Sequence, residues 1–345
     1  MTNAVCFAYQ PEHLPPDTRL PDRAELFAKL RALDLDPFVS LNAEQAFGPD
    51  TVQAIGLDPK IKRDHRQIAF EGLGLIVNRL NRSIKSELLA VTELPTLINE
   101  NAVRKIAWHK EVAAEQVLAP LDLGIPTALV TEPEDVDRFL EQYTAPRFIL
   151  KPRHGNFGAG THLLSRHRTL KFYSQHPDLL AKHVIQPAYN FNRPFPTSIK
   201  ALNRQTAETF DACNRSGITK ELRMYAFLSP TGVTTHPAAR AVKPSADGKQ
   251  LHSRWFFVDP ESIPNELVTQ TERVVQRTAQ LTASRAVYAA VDYGYGTISG
   301  VSPSWQIIEL NALSPGMINY KDNQLVADRL QTMFSQQIRD TIDAR

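Results

Sequence analysis

Residues 149–160 read Ile149-Leu150-Lys151-Pro152-Arg153-His154-Gly155-Asn156-Phe157-Gly158-Ala159-Gly160. The segment 148–151 is short, apolar and β-favouring, and a glycine-rich loop follows it at once. Glycines let a backbone bend sharply and approach a ligand with no Cβ in the way. Consecutive N–H groups in such a loop form an anion-binding concavity, and Lys151 fixes a cation at its root. A polyphosphate suits that combination. The spacing is neither of the two common nucleotide signatures. A P-loop places its lysine directly after the last glycine, whereas Thr161 follows Gly160 and the lysine precedes the loop. A dinucleotide fingerprint runs G-x-G-x-x-G; the order here is G-x-x-G-x-G. A glycine hairpin with no ligand has the same composition, so the stretch has to be read with its surroundings.

Upstream, Val103, Ala107, Ala114 and Val117 recur near the helical period, with Asn99 or Asn101 placed to cap a helix running to about residue 118. Lys110 stands in that ladder. A lysine on an apolar stripe either snorkels to water or finds a polar partner, while Lys105 lies off the stripe and faces solvent. Gly124-Ile125-Pro126-Thr127 ends the segment and launches a strand over 128–130.

Downstream, Trp305-Gln306-Ile307-Ile308-Glu309-Leu310-Asn311 alternates as a strand, with Glu309 and Asn311 on one face and Leu310 on the other. A carboxylate beside a carboxamide offers hard oxygen ligands suited to Mg²⁺. A second strand over 287–292 ends on Asp292. Gly294, Gly296 and Gly300 loosen the link between the two strands, so a hairpin-like return would bring Asp292 to Glu309. Two surface strands with a wet polar side give the same pattern. Between these motifs, Glu221, Arg223 and Tyr225 alternate with Leu222, Met224 and Ala226, and residues 235–242 form a partner strand carrying Arg240. Two arginines on adjacent strands can grip a transferring phosphoryl group; the plain alternative is a pair of salt-bridged structural arginines.

The first hundred residues alternate short strands (5–8, 73–80, 95–99) with a helix over 23–33 whose Leu26, Phe27, Leu30 and Leu33 share a face. That alternation reads as an open α/β sheet. Arg79, at the end of the best strand, is placed to meet a carboxylate substrate or simply to be solvated. The net charge of +2, from 39 basic and 37 acidic residues, gives no argument for nucleic acid or a membrane surface. Two distant cysteines, Cys6 and Cys213, fit a reducing, cytoplasmic setting. Residues 1–16 lack the apolar core of an ordinary signal peptide, and no run is long enough to span a bilayer.

Taken in order, Lys110, Lys151 with its glycine loop, Arg223, Arg240, Asp292 and Glu309-x-Asn311 resemble the ATP-grasp superfamily of carboxylate–amine ligases. The texture is that of D-alanine–D-alanine ligases and of the glutathione-synthase and ribosomal-protein glutamate-ligase group. Glu309-Leu310-Asn311-Ala312-Leu313-Ser314-Pro315-Gly316-Met317 resembles the metal strand and the Pro-Gly turn after it, and Glu221-Leu222-Arg223 the acidic-x-Arg strand. The resemblance covers about residue 73 to the C-terminus.

It implies an α/β chain, α+β in parts, with an N-terminal open α/β pre-ATP-grasp domain (1–104), a small ATP-grasp subdomain with the glycine loop (105–185) and a C-terminal subdomain with the metal site (186–345). By resemblance, Lys110 and Lys151 contact ATP phosphates, and Gly155, Asn156, Phe157, Gly158, Ala159 and Gly160 form the loop that closes over them. Asp292, Glu309 and Asn311 hold Mg²⁺ or Mn²⁺, Arg223 and Arg240 are catalytic, and Gln186 and Ala188 lie in the hinge that meets adenine. Pro187 stands where the family often has an acidic residue. Arg79, Gly316 and Met317 are candidates for substrate binding. The implied partners are a small carboxylate and a small amine, an amino acid or small peptide, and a homodimer is common among similar enzymes.

Activation of a carboxylate as an acyl-phosphate needs no side-chain nucleophile, in keeping with the lack of any Cys–His or Ser–His–Asp set. His154 and His236 read as surface or structural residues. Residues 188–220, polar and dotted with Tyr189, Phe191, Phe195 and Phe210, read as a long substrate lid, and residues 243–254 with the Asp247-Gly248 turn as a second loop. Amphipathic helices are expected over 271–281 and 323–342. Two other readings remain open at this point: a kinase on the same scaffold, and a nucleotide-binding regulatory protein without catalysis.

Overall fold

The computed structural model describes residues 4–9, 20–41, 51–58, 61–69, 73–78, 96–99, 101–154, 160–191, 193–215, 218–244, 251–298, 302–312 and 324–344. Three sheets organise them. The first has the strand order β4-β3-β2-β1-β5-β6. Its strands are β1 (Ala4–Tyr9), β2 (Asp36–Leu41), β3 (Thr51–Asp58), β4 (Ile61–Ala69), β5 (Leu73–Asn78) and β6 (Thr96–Ile98). β1 pairs in parallel with β2 and β5, and β5 with β6, which is the expected open α/β arrangement. β3 and β4 add an antiparallel hairpin at one edge that the sequence reading missed. Helix α1 (Leu20–Ala32) buries Leu26, Phe27 and Leu30 against Val5 and Phe7 of β1. Each such side chain contributes roughly 2 kcal/mol.

Asn99 follows β6 with φ 59° and is buried. Its amide donates to Tyr288 O and Ala312 O and accepts from Tyr288 N, tying the first sheet to the third. It is a latch rather than the start of a helix. Helix α2 (Asn101–Trp108) comes next. The continuous helix expected to residue 118 is broken at His109, whose backbone is extended; Lys110–Val112 is a short α turn, and Ala113–Leu118 is a π-helix. Such widened turns concentrate at functional sites, and this one forms a wall of the candidate site.

The second sheet is antiparallel, in the order β7-β10-β8-β9: β7 (Ala128–Leu129), β8 (Phe148–Pro152), β9 (His162–Leu164) and β10 (His183–Pro187). Helices α3 (Pro133–Gln142) and α4 (Arg166–Gln175) back it, closing a core of Val136, Phe139, Leu140, Phe148, Leu150 and Tyr173. Neither helix was expected, because each shows only a short apolar stripe among many charges.

Helix α5 (Arg204–Arg215) occupies the centre of the stretch read as a long lid. That reading is corrected: Phe195 and Phe210 are buried, 6.1 Å apart, in the main core. The third sheet is also antiparallel, in the order β13-β12-β11-β14-β15. Its strands are β11 (Thr219–Ser229), β12 (Gly232–Pro244), β13 (Leu251–Phe256), β14 (Val287–Gly296) and β15 (Ser304–Asn311). Period-two alternation gives it two faces. Leu222, Met224, Val291 and Leu310 pack towards α6 (Asn265–Thr282) with its Leu267 and Val274. Tyr225, Phe227 and Tyr288 pack towards α7 (Gln324–Asp343), where Phe334 lies 4.8 Å from Tyr288 and 6.4 Å from Phe7.

β14 runs past Asp292, so Asp292 lies inside the strand and not at its end. Gly294 and Gly296 do not loosen a link. They make room for the segment after β10: a Cβ at Gly294 would stand 2.5 Å from the Phe191 ring, and one at Gly296 would collide with the Asn190 backbone.

Candidate active site

The second face of the third sheet becomes polar away from α7. There Arg223 lies opposite Asp292, and Arg240 opposite Glu221 and Trp255. Asp292 lies opposite Glu309. A one-residue bulge after Asp292 shifts the β14–β15 register, so Ile307 pairs with Tyr293 and Ile308 is skipped. Register therefore brings one carboxylate onto another, as the alternation and the hairpin return implied.

Both arginines are held in ion pairs with neighbouring acids. Arg223 donates Nε to Asp292 Oδ1 and Nη2 to Asp292 Oδ2, both at 2.6 Å. Asn311 Nδ2 donates to the same Oδ2 at 2.9 Å. Arg240 donates Nε to Glu221 Oε2 at 3.0 Å, and its Nη2 closes the pair. Trp255 stacks against both guanidinium groups, at 5.4 Å from Arg223 and 5.5 Å from Arg240. The Asp292 pair, together with Tyr225 and Glu221, holds the Arg223 guanidinium well above its usual pKa, against the cost of burial. A guanidinium has five N–H donors, so the contacts to described residues leave each arginine with donors to spare. Nothing in the local sequence marked Trp255; only the pairing of β12 with β13 places it here.

Across from this face stands β8. Burial lowers the pKa of the Lys151 ammonium, and four charges bear on it: Glu309 and, more weakly, Lys110, Glu221 and Asp292. Burial raises the Glu309 carboxyl, against the pull of Lys151, Lys110 and Arg223. Glu309 makes no hydrogen bond among the described residues. Lys110 reaches from the short turn after His109 to the root of the glycine loop, donating Nζ to Pro152 O at 3.2 Å and Arg153 O at 3.5 Å. That is the polar outlet its place on an apolar stripe demanded. Two lysines, two arginines and three acids thus meet at one end of a cleft, although they come from several separate elements.

The root of the loop is clamped as well. Arg153 binds Glu111 Oε1 through Nε at 2.6 Å and Nη2 at 2.5 Å. His154 stacks on Trp108 at 5.4 Å and meets His109 edge-on at 4.8 Å. Gly160, with φ +71°, folds back so closely that a Cβ would touch Pro152 at 3.0 Å.

A small cleft lies between the second and third sheets. The π-helix supplies Ala113, Ala114 and Leu118, and β15 supplies Ile308, Glu309 and Leu310. Ile125, Thr127, Gln186 and Lys110 complete it. A mostly apolar hollow with a few polar groups is the usual form of a small-molecule site. Gln186, expected by resemblance in a hinge that meets adenine, lines the cleft wall. Ala188 does not line the cleft, and its N–H is committed to Arg147 O at 2.9 Å. Arg79, Gly155 to Ala159, Gly316 and Met317 lie outside the described residues.

A divalent cation fits the donor set in part. Among the described residues no group of three or more His, Cys, Asp or Glu side chains forms a metal cage. Among the described residues, Asp292 has one oxygen lone pair left after its three bonds, Asn311 keeps its carbonyl oxygen, and Glu309 is a carboxylate with no hydrogen bond. These are hard oxygens from one or two carboxylates, the protein share that Mg²⁺ takes when phosphates and water supply the rest.

No protein-family model and no curated protein matches the sequence. Solved structures do match the fold. The structure of D-cycloserine synthetase DcsG superposes with a TM-score of 0.59 at 17% identity, over 98% of this chain and 99% of that one. The ATP-grasp ligase PsnB, complexed with a minimal precursor, gives 0.56 at 16% identity over 97% and 99%. D-alanyl-alanine synthetase A from Vibrio cholerae gives 0.58 at 9% identity over 100% and 99%. Likeness that spans nearly the whole of each chain is likeness of the complete architecture, and the chain carries the ATP-grasp fold.

Proposed function

We propose that the protein is an ATP-dependent ligase that activates a carboxylate as an acyl-phosphate and joins it to an amine, releasing ADP and phosphate. One observation carries this reading: Lys110, Lys151, Arg223, Asp292 and Glu309 bear on one another electrostatically at the mouth of a single apolar cleft. Lys110 and Lys151 are placed for the phosphates, with the base in the cleft. By its sequence, the glycine-rich segment 155–160 that follows the clamped root would close over them. Asp292, Glu309 and Asn311 would hold Mg²⁺, with Mn²⁺ as an alternative. Bound there, the cation neutralises phosphate charge as a Lewis acid.

A substrate carboxylate oxygen attacks the γ-phosphorus and ADP leaves. The amine nitrogen then attacks the activated carbonyl carbon, phosphate leaves, and the nitrogen gives up a proton. Negative charge builds at both steps. Arg223 and Arg240, fixed by their acids and by Trp255, meet it with donors that need no reorganisation. Closure of the loop keeps water from the acyl-phosphate. We assign the sheets to an N-terminal domain ending near residue 104 and two ATP-grasp subdomains meeting near residue 185. The substrates are read as a small acid and an amino acid, small peptide or other small amine. No helix among the described residues is long and apolar enough to cross a membrane. Our reading of the compartment as cytoplasmic rests on the two free cysteines.

The test is ADP release across a panel of acids and amines. Release that requires both substrates supports the ligase. Release with an acid alone that leaves a stable phosphorylated product points to a kinase, and formation of AMP and pyrophosphate removes the reading.

A further inference from the structure

Residues 108–111 grip the root of the glycine-rich segment at several points. Lys110 Nζ donates to Pro152 O and Arg153 O, and the Arg153 guanidinium turns back onto Glu111 Oε1 through Nε and Nη2. His154 Nδ1 lies 3.3 Å from Trp108 O, with its ring stacked on the Trp108 indole. From the other side Arg153 N donates to Lys182 O at 2.7 Å. The two carbonyls that hold Lys110 thus belong to the residue that Glu111 pins and to the one before it, and Lys151 precedes them in the same strand.

Glu111 is a costly way to build this joint. It is buried, and both Arg153 bonds go to Oε1, while Oε2 is buried with no hydrogen-bond partner among the described residues. His109 Nδ1, 3.6 Å from Glu111 Oε1, is buried without a partner among them as well. Burial, and secondarily the charge of Arg153, lower the His109 pKa, so the ring does not compete as a cation for the carboxylate. Bare buried polar atoms cost free energy, and an apolar pair of similar size often holds such a joint as well or better. An acid is also the wrong charge beside a site for phosphates. What a carboxylate does, and an apolar side chain does not, is fix a guanidinium in one orientation.

We infer that Glu111 is a positioning residue: acting through Arg153, it fixes the root of the glycine-rich segment so that Lys110 and Lys151 meet a triphosphate in one geometry. The inference rests on the reading that the two lysines take nucleotide phosphates, and it adds a residue outside that contact on which the contact depends. Coulomb's law alone gives the opposite sign. An anionic ligand should bind more tightly once a nearby carboxylate is neutralised, whereas a loosened root should bind it less tightly.

The experiment measures Mg·ATP and adenosine binding by calorimetry to the wild type, Glu111→Gln, Arg153→Met, the double variant and Arg153→Lys. Glu111→Gln should weaken Mg·ATP by roughly ten- to a hundredfold, the effect of a small misplacement of binding groups, and leave adenosine unchanged. The double variant should bind Mg·ATP no more weakly than Arg153→Met alone, because the two residues act as one unit. Arg153→Lys keeps the charge but not the fork, and should weaken Mg·ATP as well. In the ligand-free protein, the Trp108 emission, taken as the difference from a Trp108→Phe background, should move to the red in Glu111→Gln as His154 leaves the indole. Unchanged or tighter Mg·ATP binding by Glu111→Gln overturns the inference and leaves the nucleotide reading intact, as does an equal loss of adenosine, additive losses in the double variant or an unmoved emission. If Glu111→Gln does not fold, Arg153→Lys decides: binding equal to the wild type overturns the inference, and weakened binding supports it. A wild type that binds no Mg·ATP overturns the nucleotide reading and this inference with it.

Discussion

Arg223 and Asp292 face each other across β11 and β14 and meet through two hydrogen bonds of 2.6 Å each. Asp292 is only 2% exposed. Removing one member of such a pair strands a buried charge, at a cost of about 3–5 kcal/mol. Asp292→Asn is therefore expected to lower the melting temperature and to stop ADP release. Exchanging both residues, as Arg223→Met with Asp292→Leu, should restore most of the stability and none of the activity. Thermal melts and an ADP assay on these variants decide it, and an Asp292→Asn protein that melts like the wild type refutes the pairing.

Glu309 is the opposite case, a carboxylate held in a cleft with charge near it but no hydrogen bond among the described residues. Burial outweighs the help of Lys151 and raises its pKa. Glu309→Gln should leave the ligand-free protein as stable or more so, by about 1 kcal/mol. It should also cut turnover at least about a hundredfold. A loss of stability equal to that of Asp292→Asn would show that Glu309 serves the fold and not a ligand.

Gly294 and Gly296 separate two kinds of crowding. A Cβ at Gly294 meets the Phe191 side chain, which can move, whereas one at Gly296 meets the Asn190 backbone, which cannot. Both alanine variants should lose roughly 1–3 kcal/mol. Phe191→Ala should rescue Gly294→Ala and leave Gly296→Ala unrescued. Denaturant melts of the single and double variants measure this, and equal rescue of both contradicts it.

His236 sits under Phe257, with its ring centroid 5.8 Å away. Burial, and secondarily the charge of Arg329, depress its pKa from 6.5 to about 4. The folded protein keeps the ring neutral where the unfolded chain protonates it. The stability this linkage governs is therefore complete above pH 6.5 and is lost as pH falls from 6.5 towards 4. The loss is about 3 kcal/mol at most. His236→Phe should flatten the dependence of melting temperature on pH over that window, and an unchanged slope assigns the effect elsewhere.

What could be read in advance divides along physical lines. β11 and β15 announced themselves by two-residue alternation and β8 by a short apolar run, and alternation with a hairpin return was enough to set Asp292 against Glu309. The order of Lys110, Lys151, Arg223, Asp292 and Glu309 carried the fold. The rest was settled by tertiary contact. Helix α5 has a polar sequence that buries little besides Phe210, so no apolar stripe betrayed it. The break at His109 and the π-helix after it, which packs against α6, left no mark in the local pattern. Trp255 meets the arginines only because β13 pairs with β12 in one register. Thr127 meets Gln186 from 59 residues away, and no local pattern encodes that.

The central claim is that one cleft holds Mg·ATP between Lys110 and Lys151 on one side and the Asp292–Glu309–Asn311 strands on the other. Calorimetric titration of Mg·ATP into the wild type and into Lys151→Met tests it most directly. The account predicts one site per chain in the wild type, Mg²⁺-dependent, and weakened at least about tenfold by the loss of the lysine charge. Wild-type protein that gives no binding heat, or that binds ATP equally well with the lysine replaced, would contradict it.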